Sequence, residues 1–176
     1  YAFLRWIDLH ANRGGRVHID VHGRENIPDR DGFMFFPNHQ GLYDVLAIIE
    51  ASPRPFSVVA KKEIAKIPFL KQIFACMKAF MLDREDVRQA MRVIVSVTKE
   101  VQKGRNYLIF AEGTRSKNGN RVGTFKGGSF KAATKARCPI VPVALIDSFK
   151  PFDTKTIKPV TVQVYFLEPL LYDDYK

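Results

Sequence analysis

The stretch GFMFFPNHQGLYDVLAIIEA, residues 32–51, decides how this chain is built. Asp31-Gly32 marks a turn. The run Phe33, Met34, Phe35, Phe36 is wholly apolar, without the alternation of a half-wet strand, and so suits a buried strand. Pro37-Asn38 ends that strand. Residues 44–51 then read as a helix, with Asp44 at its start, where a carboxylate suits the positive end of the helix dipole. Twenty residues thus hold strand, loop and helix.

Similar units lie on either side. Residues 16–22 alternate Val17, Ile19 and Val21 with polar neighbours, the period of a strand with one wet face. Before them, residues 1–12 read as a short helix carrying Phe3, Leu4 and Ile7 on one side, stopped by Gly14-Gly15. Residues 57–60 are a second buried strand. The clearest helix spans residues 86–103, where Val87, Ala90, Met91, Ile94, Val97, Thr98 and Val101 recur at three and four residues. Gly104 follows its end. A strand over 107–110 leads into a Gly-rich polar loop to about Thr124, then a helix over 127–137. Residues 140–145 and 160–167 are further strands. Strands interleaved with helices predict an α/β layer architecture. With no repeat or linker in view, residues 1–176 read as one domain, residues 1–15 being a candidate membrane-proximal helix.

The chain has 176 residues, 46% of them hydrophobic and 26% charged, which excludes disorder as its main state. Its net charge of +10 favours an anionic partner, whether nucleic acid, acidic lipid, phosphorylated substrate or acidic protein. Cys76 and Cys138 form no CxxC pair, which argues against a disulfide framework or a cysteine zinc site. His10, His18, His22 and His39 show no convincing ligand spacing, so no metal is expected. No window of 18 uninterrupted apolar residues encodes a membrane span. The chain begins at Tyr1, and an anchor preceding it is left open.

Two loops carry the candidate chemistry. His39 follows the strand FMFFP, and Asp44 stands five residues on. An aspartate bonded to one imidazole nitrogen fixes the tautomer and leaves the other nitrogen free as a base. On this pair alone a helix-capping Asp and a backbone-satisfied His is the preferred reading. The second loop is EGTRS, residues 112–116, directly after the apolar strand NYLIFA. Gly113 lets backbone approach a ligand, and Arg115 offers a forked donor to phosphate or carboxylate. A polar surface turn with a solvated Arg is the rival reading. Ligands of open α/β sheets gather outside the carboxyl ends of strands, so both loops face one crevice if the strands are neighbours.

Taken together, these blocks resemble the glycerophospholipid acyltransferase family, the 1-acyl-sn-glycerol-3-phosphate acyltransferases and their relatives, over residues 17–168. NHQGLYD, residues 38–44, matches the family's catalytic His-x4-Asp motif. EGTRS matches its acceptor-binding motif. VAKKEIAKIPFLK through FMLDR matches the second motif, with Lys61 and Arg84 at the basic positions, and PIVPV, residues 139–143, matches the fourth. The chain departs from the family at Lys71 and Lys78, where glycines are common.

The resemblance implies a mixed β-sheet flanked by helices, like that of glycerol-3-phosphate acyltransferase. It also implies acyl transfer from acyl-CoA or acyl-acyl carrier protein, as co-substrate and with no cofactor, to lysophosphatidic acid. His39 is then the general base and Asp44 its orienting partner. Arg115, Arg84 and Lys61 take the phosphate, and Glu112, with Gly113 and Thr114, contacts the acceptor or its ligand network. Backbone N–H groups near residues 38–41 are candidates for the oxyanion. Lys62 and Lys126 read better as solvated surface lysines. Ser116 and Cys138 are not assigned as nucleophiles, because a thiol already leaves readily.

Residues 64–82 hold 14 apolar residues among 19, interrupted by Lys66, Lys71 and Lys78. On a continuous helix Lys71 and Lys78 fall about 20° apart, one basic ridge beside an apolar surface suited to anionic lipid headgroups. A core-packing helix followed by a strand is an equal rival. The Phe3, Trp6, Arg5 and Arg13 cluster invites the same membrane reading. The expected location is therefore the cytoplasmic face of a membrane. Another lysolipid or glycerol 3-phosphate is the alternative acceptor. A basic nucleic-acid-binding domain is the rival of another class, although the aromatic residues lie in apolar runs and no recognition signature is present. A catalytically silent lipid-binding relative is the third.

Overall fold

The computed structural model describes residues 1–66, 70–83, 85–154 and 158–176. The decisive stretch forms β2 (Met34–Pro37), every residue of which is buried, followed by α2 (Asp44–Ala51). Around them stand α1 (Ala2–Gly14), β1 (Val17–His22), β3 (Ser57–Lys61), α3 (Leu70–Cys76), β4 (Phe80–Leu82), α4 (Val87–Gln102) and β5 (Tyr107–Leu108). The chain continues through α5 (Lys131–Ala136), β6 (Ile140–Ile146), α6 (Lys150–Asp153), β7 (Val160–Phe166) and α7 (Tyr172–Tyr175). One sheet joins the strands in the order β1-β7-β6-β2-β5-β3-β4. From β6 through β4 they are parallel, and β7 and β1 run the other way, so the sheet is mixed.

β2 is apolar throughout because both of its faces are covered. Phe33 and Phe35 point into a core completed by Ile48 of α2 with Val58, Val143 and Val164. Met34 and Phe36 point the opposite way, onto Val93 and Val97 of α4 and Ala132 of α5. α2 and α4 thus lie on opposite faces of the sheet. Asp86 caps α4 by accepting from Gln89 N at 2.9 Å.

Several expectations change. The helix over 127–137 is split into a 3-10 turn, Gly127–Phe130, and the short α5, since two glycines weaken its start. In α1, Leu4 packs on the core but Phe3 lies outside, 70% exposed, and the buried residues are Asp8 and Asn12. Trp6 is exposed and stacked on Phe3, whereas Arg5 is turned away from both, donating to the Glu50 carbonyl. The basic ridge does not form. Lys71 is in α3, but Lys78 lies beyond it with φ +53°, in a turn leading to β4, so no helix aligns the two. Phe74 and Met77 are buried, which favours the core-packing reading of this segment. Lys66 contributes nothing further, because its side chain is outside the described set. No helix among the described residues is long and apolar enough to cross a membrane.

Candidate active site

The parallel neighbours β6, β2, β5 and β3 bring their carboxyl ends to one edge of the sheet. His39 leaves β2, Glu112 to Ser116 follow β5, and Lys61 ends β3. Strand adjacency thus unites motifs that lie 73 residues apart, as with His39 and Glu112.

Nδ1 of His39 lies 2.7 Å from Oδ2 of the fully buried Asp44. The carboxylate only accepts, so Nδ1 carries the proton and Nε2 is left as a base. The ring stacks on Phe110 at 3.9 Å between centroids, which fixes its plane. Asp44 also accepts from Gln40 N at 2.7 Å, from Gly41 N at 3.0 Å and from Ser148 Oγ at 2.7 Å. Four donors hold one carboxylate, each contact being charge-assisted.

Glu112 is buried. Its Oε1 accepts from His39 N at 2.8 Å, and its Oε2 from Gly123 N at 2.7 Å. An alanine at 123 would place its Cβ 2.6 Å from Oε2, so a larger residue would displace this carboxylate oxygen. Ser116 N donates to the His39 carbonyl at 2.8 Å. The second loop therefore holds the first from behind. Both oxygens of Glu112, expected to contact the acceptor or its ligand network, thus bond backbone amides. Of the oxyanion candidates over residues 38–41, the N–H groups of His39, Gln40 and Gly41 are bonded to carboxylates.

His39 opens onto a groove of about 410 Å³ whose wall includes Val58, Phe74, Ala90, Met91 and Ile94. Arg115, Lys61, Lys126 and Lys131 stand along it, as does Gly113. Lys61 is paired with Glu63 at 3.2 Å. Among the described residues no carboxylate pairs with Arg115 or Lys126. Lys126 is exposed, as a surface lysine should be, but its stem lies against Gly113, where an added Cβ would meet its Cδ at 3.3 Å. Lys62 is instead bound to Asp83. Thr114 is exposed in a polar hollow beside the groove, which it shares with Arg115 and Arg121. Arg84 falls outside the described residues.

Neither alternative nucleophile is activated. Ser116 Oγ donates to the Arg121 carbonyl at 2.7 Å. Cys138 is buried, and desolvation pushes its thiol up to about 12. Sequence reasoning missed Phe110, Gln40, Gly123 and Ser148. Phe110 carried a signal, standing at the end of an apolar strand two residues before Glu112. Gly123 and Ser148 carried none, since loop closure alone brings them in.

The Acyltransferase family model matches residues 18–146, most of the chain and, Ser148 apart, all of the site just described. The chain belongs to the acyltransferase family. Among similar members is the 1-acyl-sn-glycerol-3-phosphate acyltransferase of Borreliella burgdorferi, 33% identical over 88% of this chain and 62% of the relative. An enzyme of the same name from Cocos nucifera is 29% identical over 100% of this chain and 59% of its own length. The acyltransferase fold is shared with the crystal structure of the 1-acyl-sn-glycerophosphate acyltransferase of Thermotoga maritima. That match has a TM-score of 0.84 at 25% identity and covers 99% of this chain and 70% of the other. The chain spans about three fifths of the length of these two curated relatives.

Proposed function

We propose that this acyltransferase-family chain moves a fatty acyl group from acyl-CoA or acyl-acyl carrier protein to the sn-2 hydroxyl of 1-acylglycerol 3-phosphate, giving phosphatidic acid. The observation that carries the reading is the 2.7 Å His39–Asp44 pair opening onto an apolar groove shared with Arg115 and Lys126, which pair with no carboxylate among the described residues. An aliphatic chain suits the apolar wall, and a phosphate suits the cations. The names of the relatives point to the same acceptor.

His39 Nε2 takes the hydroxyl proton as the oxygen attacks the thioester carbonyl. The C–O bond forms, the C–S bond breaks, and the proton passes from the imidazolium to the departing thiolate. Asp44 stabilises the imidazolium between these events. Such base catalysis is worth about 10²–10⁴ in rate. No cofactor enters this step.

Catalysis at an anionic membrane surface, on its cytoplasmic face, is part of the proposal. Val87, Met91 and Val95 are exposed on α4, with Arg88 and Arg92 on the same helix, and Val87 and Met91 also border the groove. Exposed apolar side chains rimmed by cations suit a headgroup layer. Nucleic acid is not proposed, because aromatic residues such as Phe33, Phe35 and Phe166 are buried in the core.

The test is product analysis with a panel of acceptors and both thioester donors. The expected result is phosphatidic acid from lysophosphatidic acid, exceeding any product from lysophosphatidylcholine, another neutral lysolipid or glycerol 3-phosphate. Preferential acylation of glycerol 3-phosphate or a headgroup-bearing lysolipid would replace the proposed acceptor. Oligonucleotide binding without acyl transfer would overturn the reading.

A further inference from the structure

Asp44 draws its donors from two sources. His39 Nδ1, Gln40 N and Gly41 N belong to the same short turn as Asp44 and move with it. Ser148 is different. It follows β6 and reaches across the sheet edge, fully buried, to place Oγ 2.7 Å from Asp44 Oδ1 and 2.9 Å from Gln40 Oε1. A hydroxyl has one proton, and the charged, nearer carboxylate is the stronger acceptor. Gln40 Oε1 is served instead by Ser148 N at 3.1 Å.

The turn that aims Ser148 is itself held. Asp147 adopts φ +64°, a left-handed conformation that a side chain adopts only at a cost. Asn120 fixes it, donating from Nδ2 to Asp147 Oδ1 at 3.0 Å and accepting from Asp147 N at 2.8 Å. The Asn120 Oδ1 atom also accepts from Gln40 Nε2 at 2.9 Å, and Gln40 Nε2 is 3.0 Å from the Leu145 carbonyl. The polar loop after Glu112, the end of β6 and the His39 turn thus meet at Ser148.

We propose that Ser148 is a positioning residue that tunes the basicity of His39 through Asp44. Its hydroxyl hydrogen spreads the carboxylate's charge and so weakens the hold of Asp44 on a protonated ring. Removing it strengthens that hold and raises the imidazole's titration midpoint. It also loosens the carboxylate that sets the ring's orientation, because the remaining donors are all local. The inference rests on His39 being the base, but its test reads the ring itself and needs no turnover.

The experiment is an NMR titration of the His39 ring nitrogens in the wild type, Ser148→Ala and Ser148→Cys, each first shown to melt cooperatively. Cysteine fills the space with a weak donor and gives a second variant if alanine does not fold. The expected result is a midpoint raised by roughly 0.5–1 pH unit in the variants. With lysophosphatidic acid, kcat falls while the acceptor KM stays unchanged. An unmoved His39 midpoint in a folded variant, or a raised KM with kcat intact, overturns the proposal.

Discussion

At the scale of single residues, the division of labour between the two acidic side chains is the sharpest feature. Asp44 faces the imidazole, whereas Glu112 faces two backbone amides, one of them from His39 itself. Glu112→Gln turns one acceptor into a donor opposite an N–H, leaving that pair repulsive. The expected outcome is a kcat about tenfold lower at unchanged acceptor KM. A raised KM with normal kcat would show that Glu112 touches the acceptor after all. Arg115 has no carboxylate partner among the described residues, so its charge is available to a ligand. Arg115→Ala should lower kcat/KM about 10- to 100-fold for phosphate-bearing acceptors and much less for neutral ones. Steady-state rates with both acceptor types check this, and equal losses would contradict it.

At the scale of elements, two helices carry features that periodicity does not foresee. α1 packs on α2 through polar atoms. Asn12 Nδ2 donates to Glu50 Oε2 at 2.5 Å, and Tyr43 Oη donates to Asn12 Oδ1 at 2.6 Å. Asp8 lies in the same buried site with Oδ2 unpartnered, and burial, aided by the Glu50 charge, pushes its carboxyl up to about 7. The folded state therefore holds a proton that the unfolded chain releases near pH 4. Stability contributed by that proton is full below pH 4 and is lost as pH rises through 7, on the order of 4 kcal/mol in total. Thermal melts should show higher stability at pH 6 than at pH 8, and Asp8→Asn should flatten the difference. An unchanged pH dependence in Asp8→Asn would refute the assignment. The turn after α3 is the second feature. Lys78 has φ +53°, a left-handed conformation that costs a lysine and suits a glycine. Lys78→Gly should add about 0.5–1 kcal/mol, raising the melting temperature by about 2 °C. A lowered melting temperature would mean that the lysine makes a compensating contact.

At the scale of the molecule, the strand-helix order was legible because β2 is an unbroken apolar run closed by Pro37-Asn38, α2 starts at Asp44 directly after it, and α4 carries a clear helical period. Strand order was not. β5 lies between β2 and β3, and β6 lies on the other side of β2, a layout set by packing of the two sheet faces rather than by any one segment. The site was half legible for the same reason. His39, Asp44 and Arg115 stand in motifs directly after apolar strands, and the structure brings His39 and Arg115 to one groove. Ser148, Gln40 and Gly123 matter only through contacts between loops distant in sequence. Asp8 and Asn12 are buried although they are polar, because α1 packs its polar side on α2.

The most direct measurement is acyl transfer from a thioester to lysophosphatidic acid by His39→Ala, compared with the wild type under the same conditions and with both melting alike. The account predicts that phosphatidic acid formation falls by about 10² or more, with acceptor affinity near that of the wild type. Wild-type turnover in the folded variant would contradict it.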